Sequence, residues 1–151
     1  MGNPRERRTC VRFEVPDAMA QFRRKGFLEW RASFSEELPV VNISKGGLAF
    51  VCPSKMRKGK KMLVRLIVPQ ETSVDILGEV RWQSQSEFFP RYLTGIQFAP
   101  YGKKRGGNAV DVLRFLEKLE DRYYNQPFGI PVAPLFAETK PASAPDLNSI
   151  F

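Results

Sequence analysis

No histidine occurs among the 151 residues, and that omission removes the commonest general base and the commonest metal ligand together. Cysteine is nearly as scarce. Cys10 and Cys52 stand far apart, without the CxxC spacing of a metal site, and do not suggest a disulfide framework. No apolar run reaches the roughly 18 residues of a membrane span. Residues 1–12 are polar and arginine-rich with no apolar stretch behind them, which predicts no secretory signal. No G-x-S-x-G elbow or paired-carboxylate motif frames the serines, cysteines and carboxylates that remain. These absences point to a cytoplasmic, non-enzymatic binding protein that carries no metal, needs no cofactor and does not insert into a membrane.

Acid is also in deficit, with 16 Asp and Glu against 24 Lys and Arg, a net charge of +8 that favours an anionic partner. The bases are clustered. Lys55, Arg57, Lys58, Lys60, Lys61 and Arg65 fall within eleven residues that hold no acid; Arg5, Arg7, Arg8 and Arg12 meet only Glu6; Lys103, Lys104 and Arg105 are contiguous. Runs of this kind also serve as plain solvated loops.

What the chain does contain is enough for one cored domain: 42% hydrophobic residues, with twelve Phe. Apolar alternation and β-branched runs predict strands at 18–22, 27–34, 38–43, 48–52, 62–68, 74–82 and 92–99. In 74–82 the alternation is cleanest: Val74, Ile76, Gly78, Val80 and Trp82 share one face. Arg23, Arg24, Lys25 and Gly26 form a plausible hairpin turn between the first two runs. Short spacing and hairpin-like connections favour an antiparallel sheet closed as a small barrel, which leaves no bare edges. A helix follows, with Asn108 as its expected cap, Asp111 as a capping-box-like partner, and Val112, Phe115, Leu116, Leu119 and Tyr123 on one stripe. That stripe predicts docking across an open barrel end. The expected divisions are a flexible basic arm over 1–12, the barrel and helix over 13–125, and a mobile Pro/Ala-rich tail over 126–151.

Two short segments carry candidate chemistry. Arg8 and Arg12, in Arg8-Thr-Cys-Val-Arg12, present planar forks that match guanine O6 and N7, stack on purines or pair with phosphate. Some thirty residues on, Asn42-Ile-Ser44-Lys-Gly46-Gly47 lies between two apolar runs. The Asn42 amide can accept from and donate to a base edge, and the Ser44 hydroxyl can serve a phosphate. Gly46 and Gly47 allow close approach, and their amides are expected to face an anion. Each segment alone is also ordinary arm or turn chemistry.

Together they resemble the RxxxR and (D/N)xSxxG signature of PilZ domains, bacterial receptors for cyclic dimeric GMP (c-di-GMP, cyclic di-GMP). Gly95-Ile96-Gln97-Phe98 resembles the last-strand pattern of the same family, and the likeness covers about residues 5–124. The resemblance implies a mainly β fold, a six-stranded antiparallel barrel with a C-terminal α-helix. It implies that Arg8 and Arg12 clamp the ligand, that Asn42, Ser44 and Gly47 line its other side, and that Arg7 adds a phosphate contact. The stretch from Arg12 to Asn42 is long for the family, and the tail after 126 falls outside its pattern. On this reading cyclic di-GMP orders the arm on the barrel, and an unidentified effector protein reads the new surface. The alternatives are a PilZ-like adaptor without ligand, or a basic β-barrel for RNA or single-stranded DNA using Trp30, Trp82, Phe88, Phe89 and Tyr92. Nucleic acid is the weaker choice, because these aromatics do not interleave with the basic residues of 55–65.

Overall fold

The structure, a computed structural model, describes residues 10–25, 33–85, 87, 90–102 and 105–125. Arg7, Arg8, the turn glycine Gly26 and the tail from residue 126 lie outside them. Six strands form: β1 (Met19–Arg24), β2 (Leu38–Ser44), β3 (Gly47–Cys52), β4 (Lys61–Ile67), β5 (Val74–Gln85) and β6 (Tyr92–Phe98). All neighbours are antiparallel, and the order β1-β2-β3-β6-β5-β4 closes on itself as a barrel. The expected mainly β barrel with a C-terminal helix is therefore the fold observed.

Period-two alternation fills the inside. Met62, Val64 and Leu66 of β4 are at most 1% exposed, as are Ile76 and Val80 of β5 and Phe50 of β3. The helix α1 (Val110–Glu120) adds Leu116 and Leu119, both fully buried in the same cluster, and a π-helical turn, Asp121–Asn125, follows it. Lys118 and Arg122 reach Glu71 in the β4–β5 turn at 3.2 and 3.7 Å.

Three expectations change. Arg23 and Arg24, expected in a hairpin turn, belong to β1 and pair with Leu63 and Met62 of β4. Of the strand expected at 27–34, residues 27–32 lie outside the described residues, and Ser33 and Phe34 belong to no strand. Ser35 instead docks beside β1: its amide donates to Phe22 O (2.8 Å), and its hydroxyl accepts from Phe22 N (3.0 Å). Asn108 does not cap the helix. The cap position falls on Ala109, with no side-chain cap bond. Asn108 is 4% exposed; its Oδ1 accepts from Leu77 N (2.7 Å), and its Nδ2 donates to Leu77 O and Ala99 O (both 3.0 Å). A buried amide satisfied on both ends gains more by latching β5 to the end of β6 than by reaching a helix terminus open to water.

Candidate functional site

The outer face of β2, β3, β6 and β5 is shaped by two bulges. In β2 the register steps from Val40 opposite Phe50 to Asn42 opposite Ala49, leaving Val41 as the extra residue. In β5 it steps from Val80 opposite Ile96 to Trp82 opposite Gly95, leaving Arg81 extra. One added residue reverses which face every later side chain takes. Ile43 thus points into the core, and Asn42 and Ser44 face outward. Trp82, which strict alternation places inside with Val80, is turned out and 37% exposed, and Gln83 takes the inward place, donating from Nε2 to Thr94 Oγ1 at 2.9 Å.

The register then lines up one outward row across four strands: Asn42, Ala49, Gly95 and Trp82. The two middle residues are small, so the row is a trough. A Cβ on Gly95 would lie 2.3 Å from Cε2 and Nε1 of Trp82, so the indole lies against this bare strand. The next row runs Ser44, Gly47, Gln97, Glu79. Gly47 is required for packing: a Cβ there would sit 2.1 Å from Ile96 O.

The turn between β2 and β3 is internally satisfied. Ser44 Oγ accepts from the amides of Gly46 and Gly47, both at 3.1 Å, and donates to Gly47 O at 3.3 Å. The two glycine amides are therefore spent on Ser44 and do not face outward as anion donors; a hydroxyl three residues before the second amide closes the turn locally. Tyr101 donates its hydroxyl to Lys45 O, and Phe98 N donates to Gly46 O. Burial, and secondarily Cys10, pushes the Tyr101 hydroxyl up to about 12.

Arg12 arrives from a separate segment. Phe13 and Ile43 exchange both backbone hydrogen bonds, each 2.9 Å, and Phe13 and Val15 are buried in the core. Burying Phe13 leaves its neighbour Arg12 on the outside, beside the turn. The result is a cavity of about 390 Å³ lined by Arg12, Asn42, Ser44, Gly46 and Gly47. These five residues, separated by some thirty positions in the chain, thus come together. Arg7 and Arg8 lie outside the described residues.

Sequence reasoning missed Cys10, Arg81, Trp82, Gly95 and Gln97, which line the same cavity. Gly95 had a signal, being a glycine inside a strand pattern, which marks close approach. Trp82 enters the sequence reading only among the aromatics of the nucleic-acid alternative, because its outward face here depends on the bulge. Neither Arg12 nor Arg81 takes part in the ion pairs formed among the described residues. The wall thus offers two guanidinium groups, one indole plane and two side-chain amides, Asn42 and Gln97, around a shallow cavity. No group of His, Cys, Asp and Glu among the described residues is placed to hold a metal. Nor is any described helix long and apolar enough to cross a membrane.

Solved structures share this architecture. The inhibitor of motility MotI/DgrA of Bacillus subtilis is 17% identical, with a TM-score of 0.55 over 77% of this chain and 50% of that one. YcgR of Escherichia coli, solved with c-di-GMP, is 14% identical with a TM-score of 0.55 over 75% of this chain and 44% of that one. The MrkH–c-di-GMP complex of K. pneumonia gives 19%, 0.53, 75% and 49%. The chain thus spans about half the length of these structures, and at such identities the likeness is one of fold. No curated protein matches the sequence. A family comparison matches residues 6–109, most of the chain, to the PilZ domain, and the chain belongs to the PilZ domain family.

Proposed function

We propose that this protein is a receptor for cyclic di-GMP and acts by binding, without catalysis. The observation that carries the reading is the placement of Arg12, pinned by the Phe13–Ile43 bridge at a cavity whose other wall is Asn42, Ser44, Gly46 and Gly47. That cavity lies in the range of small-ligand sites. Arg12 and Arg81 supply forked donors for phosphate or a guanine edge, and the Trp82 indole supplies a stacking plane. Asn42 offers both a donor and an acceptor to a base. Ser44 contributes by holding the turn, and Gly46 and Gly47 by keeping the wall thin. Two of the similar structures, YcgR and MrkH, are complexes with this ligand.

The relay follows from chain order. Arg7 and Arg8 stand five and four positions before Arg12, so a ligand held by Arg12 draws their segment onto the wall. Charge-assisted hydrogen bonds drive this, and the entropy of ordering the segment opposes it. The surface so formed is what an effector protein reads, a two-state switch in the cytoplasm.

Calorimetric titration tests the reading. Wild type takes up cyclic di-GMP saturably and prefers it to GTP and cyclic AMP. Arg12→Ala loses affinity by about 30-fold, roughly 2 kcal/mol for a charged hydrogen-bonding group. Arg12→Lys recovers little, because lysine lacks the fork. A wild type that gives no heat with cyclic di-GMP sinks the receptor. Binding to single-stranded DNA that ignores base identity and falls steeply with salt would put nucleic acid in its place.

A further inference from the structure

The outward row through Ser44, Gly47, Gln97 and Glu79 does not end at the cavity described above. Glu79 pairs in register with Lys61, and Lys25 N donates to Lys61 O at 3.2 Å, so the row continues onto a basic edge. There a second cavity, of about 320 Å³, opens between the β1 and β4 ends and the loop after β6. Gln97 lines both cavities.

We propose that this second cavity binds a small molecule bearing a phosphate monoester. Its charged lining is Lys25, Lys61 and Arg105 against the single carboxylate of Glu79, and its apolar lining includes Leu77 and Pro100. None of the three cations takes part in the ion pairs formed among the described residues. Three like charges drawn to one opening repel one another unless an anion sits among them. The crowding extends beyond the opening: partial desolvation, then Arg24 and Arg57, lower the pKa of nearby Lys60.

The charge selects the ligand class. Three cations less one carboxylate leave two positive charges, which match a monoester of about −1.5 to −2 at neutral pH. A phosphodiester carries a single charge per phosphate and fits less well. The apolar lining asks for a body attached to the phosphate, so bare phosphate is the poorer occupant. Arg12 takes no part here, and the proposal stands or falls apart from the receptor reading.

The test is a titration of the full chain with phenyl phosphate, followed by the backbone amide NMR signals. Saturable shifts are expected at Gly78, Ala99 and Gly106. Arg12→Ala leaves the affinity unchanged. Lys61→Gln combined with Arg105→Gln weakens it about 10-fold or more, as two charge-assisted contacts are lost. Both residues are exposed, so the core is not disturbed; Lys25→Gln, also exposed, gives an independent smaller loss. Benzenesulfonate, with the same ring and one charge, binds more weakly. The proposal is overturned by shifts centred on Gly46 and Gly47, by loss of binding in Arg12→Ala, by equal affinity in the Lys61/Arg105 double variant, by equal affinity for benzenesulfonate, or by no saturable shift at all.

Discussion

Two walls of the same barrel treat their outer faces in opposite ways. Along β1, β4 and β5 the register runs without interruption, and one outward row reads Gln21, Arg65, Asp75. That row is closed by its own side chains. Arg65 holds Asp75 through two bonds of 2.8 and 3.1 Å, and the Phe34 ring lies 4.0 Å from the Arg65 guanidinium and 5.0 Å from that of Arg23. Along β2, β3, β6 and β5 the register is broken twice, and the matching row reads Asn42, Ala49, Gly95, Trp82. Here the centre is left bare, and the amide of Asn42 and the indole of Trp82 stand at its margins. Regular pairing with long side chains yields a finished surface; bulges with small residues yield an open trough.

The largest expected effect comes from filling the thinnest point of the open wall. In Gly47→Ala the new methyl would meet Ile96 O at 2.1 Å, and backbone cannot yield as a side chain can. Separating β3 from β6 is expected to cost about 3 kcal/mol, the upper part of the overpacking range, read as a lowered urea midpoint. An unchanged midpoint would mean that the two strands are not held at this distance.

Gly95→Ala tests the same wall more gently. Its methyl meets the Trp82 ring, not backbone, and a partly exposed indole can swing away. A stability loss of about 1–2 kcal/mol is expected, with a shift in tryptophan emission as the ring moves into water. Cyclic di-GMP affinity falls in the same variant, since the stacking plane has left the trough. Normal affinity with a displaced ring would remove Trp82 from the site.

The contrast between the walls also explains what the sequence could and could not tell. Met62, Val64 and Leu66 alternate without fault, and so do Thr94, Ile96 and Phe98; the runs expected at 62–68 and 92–99 therefore fall on β4 and β6. Asn42, Ser44, Gly46, Gly47 and Arg12 were legible as motif residues, because their types and spacing carry a chemistry. Trp82 was not: alternation from Val74 assigns it to the core, and a bulge depends on the partner strand, which a single strand's pattern does not contain. The same limit hid the role of Asn108. An asparagine before an amphipathic stretch reads as a cap locally, and only the fold brings Leu77 and Ala99 within reach of its amide. Ser44 shows the reverse case, in which local chemistry wins and the hydroxyl closes its own turn.

A smaller effect is expected behind the turn. Tyr101→Phe removes the hydroxyl that supports Lys45 O and should cost about 1 kcal/mol, the usual worth of one such bond. The pH dependence identifies it. The folded-state pKa of about 12 lies above the ordinary tyrosine value near 10, so the folded protein binds the proton more tightly than the unfolded chain. That stabilisation is complete below about pH 10 and fades as pH rises toward 12. The difference between wild type and Tyr101→Phe should therefore shrink over that interval and stay constant below it. A difference that stays flat through the interval would deny the buried, hydrogen-bonded hydroxyl.

The smallest effect belongs to the closed wall. Asp75→Ala cuts both bonds to Arg65, but the two side chains are 37% and 40% exposed, so water and salt already screen the pair. A loss of about 0.5 kcal/mol is expected, reduced further in high salt. The Phe34 ring keeps its contact with Arg65, so the face stays covered after the carboxylate has gone. Cyclic di-GMP affinity should not change, because the ion pair lies outside the residues that line the cavity beside Arg12. Should Asp75→Ala weaken the ligand as much as Arg12→Ala does, the two walls would be coupled through β5, which belongs to both, and their separation into a finished and an open surface would fail.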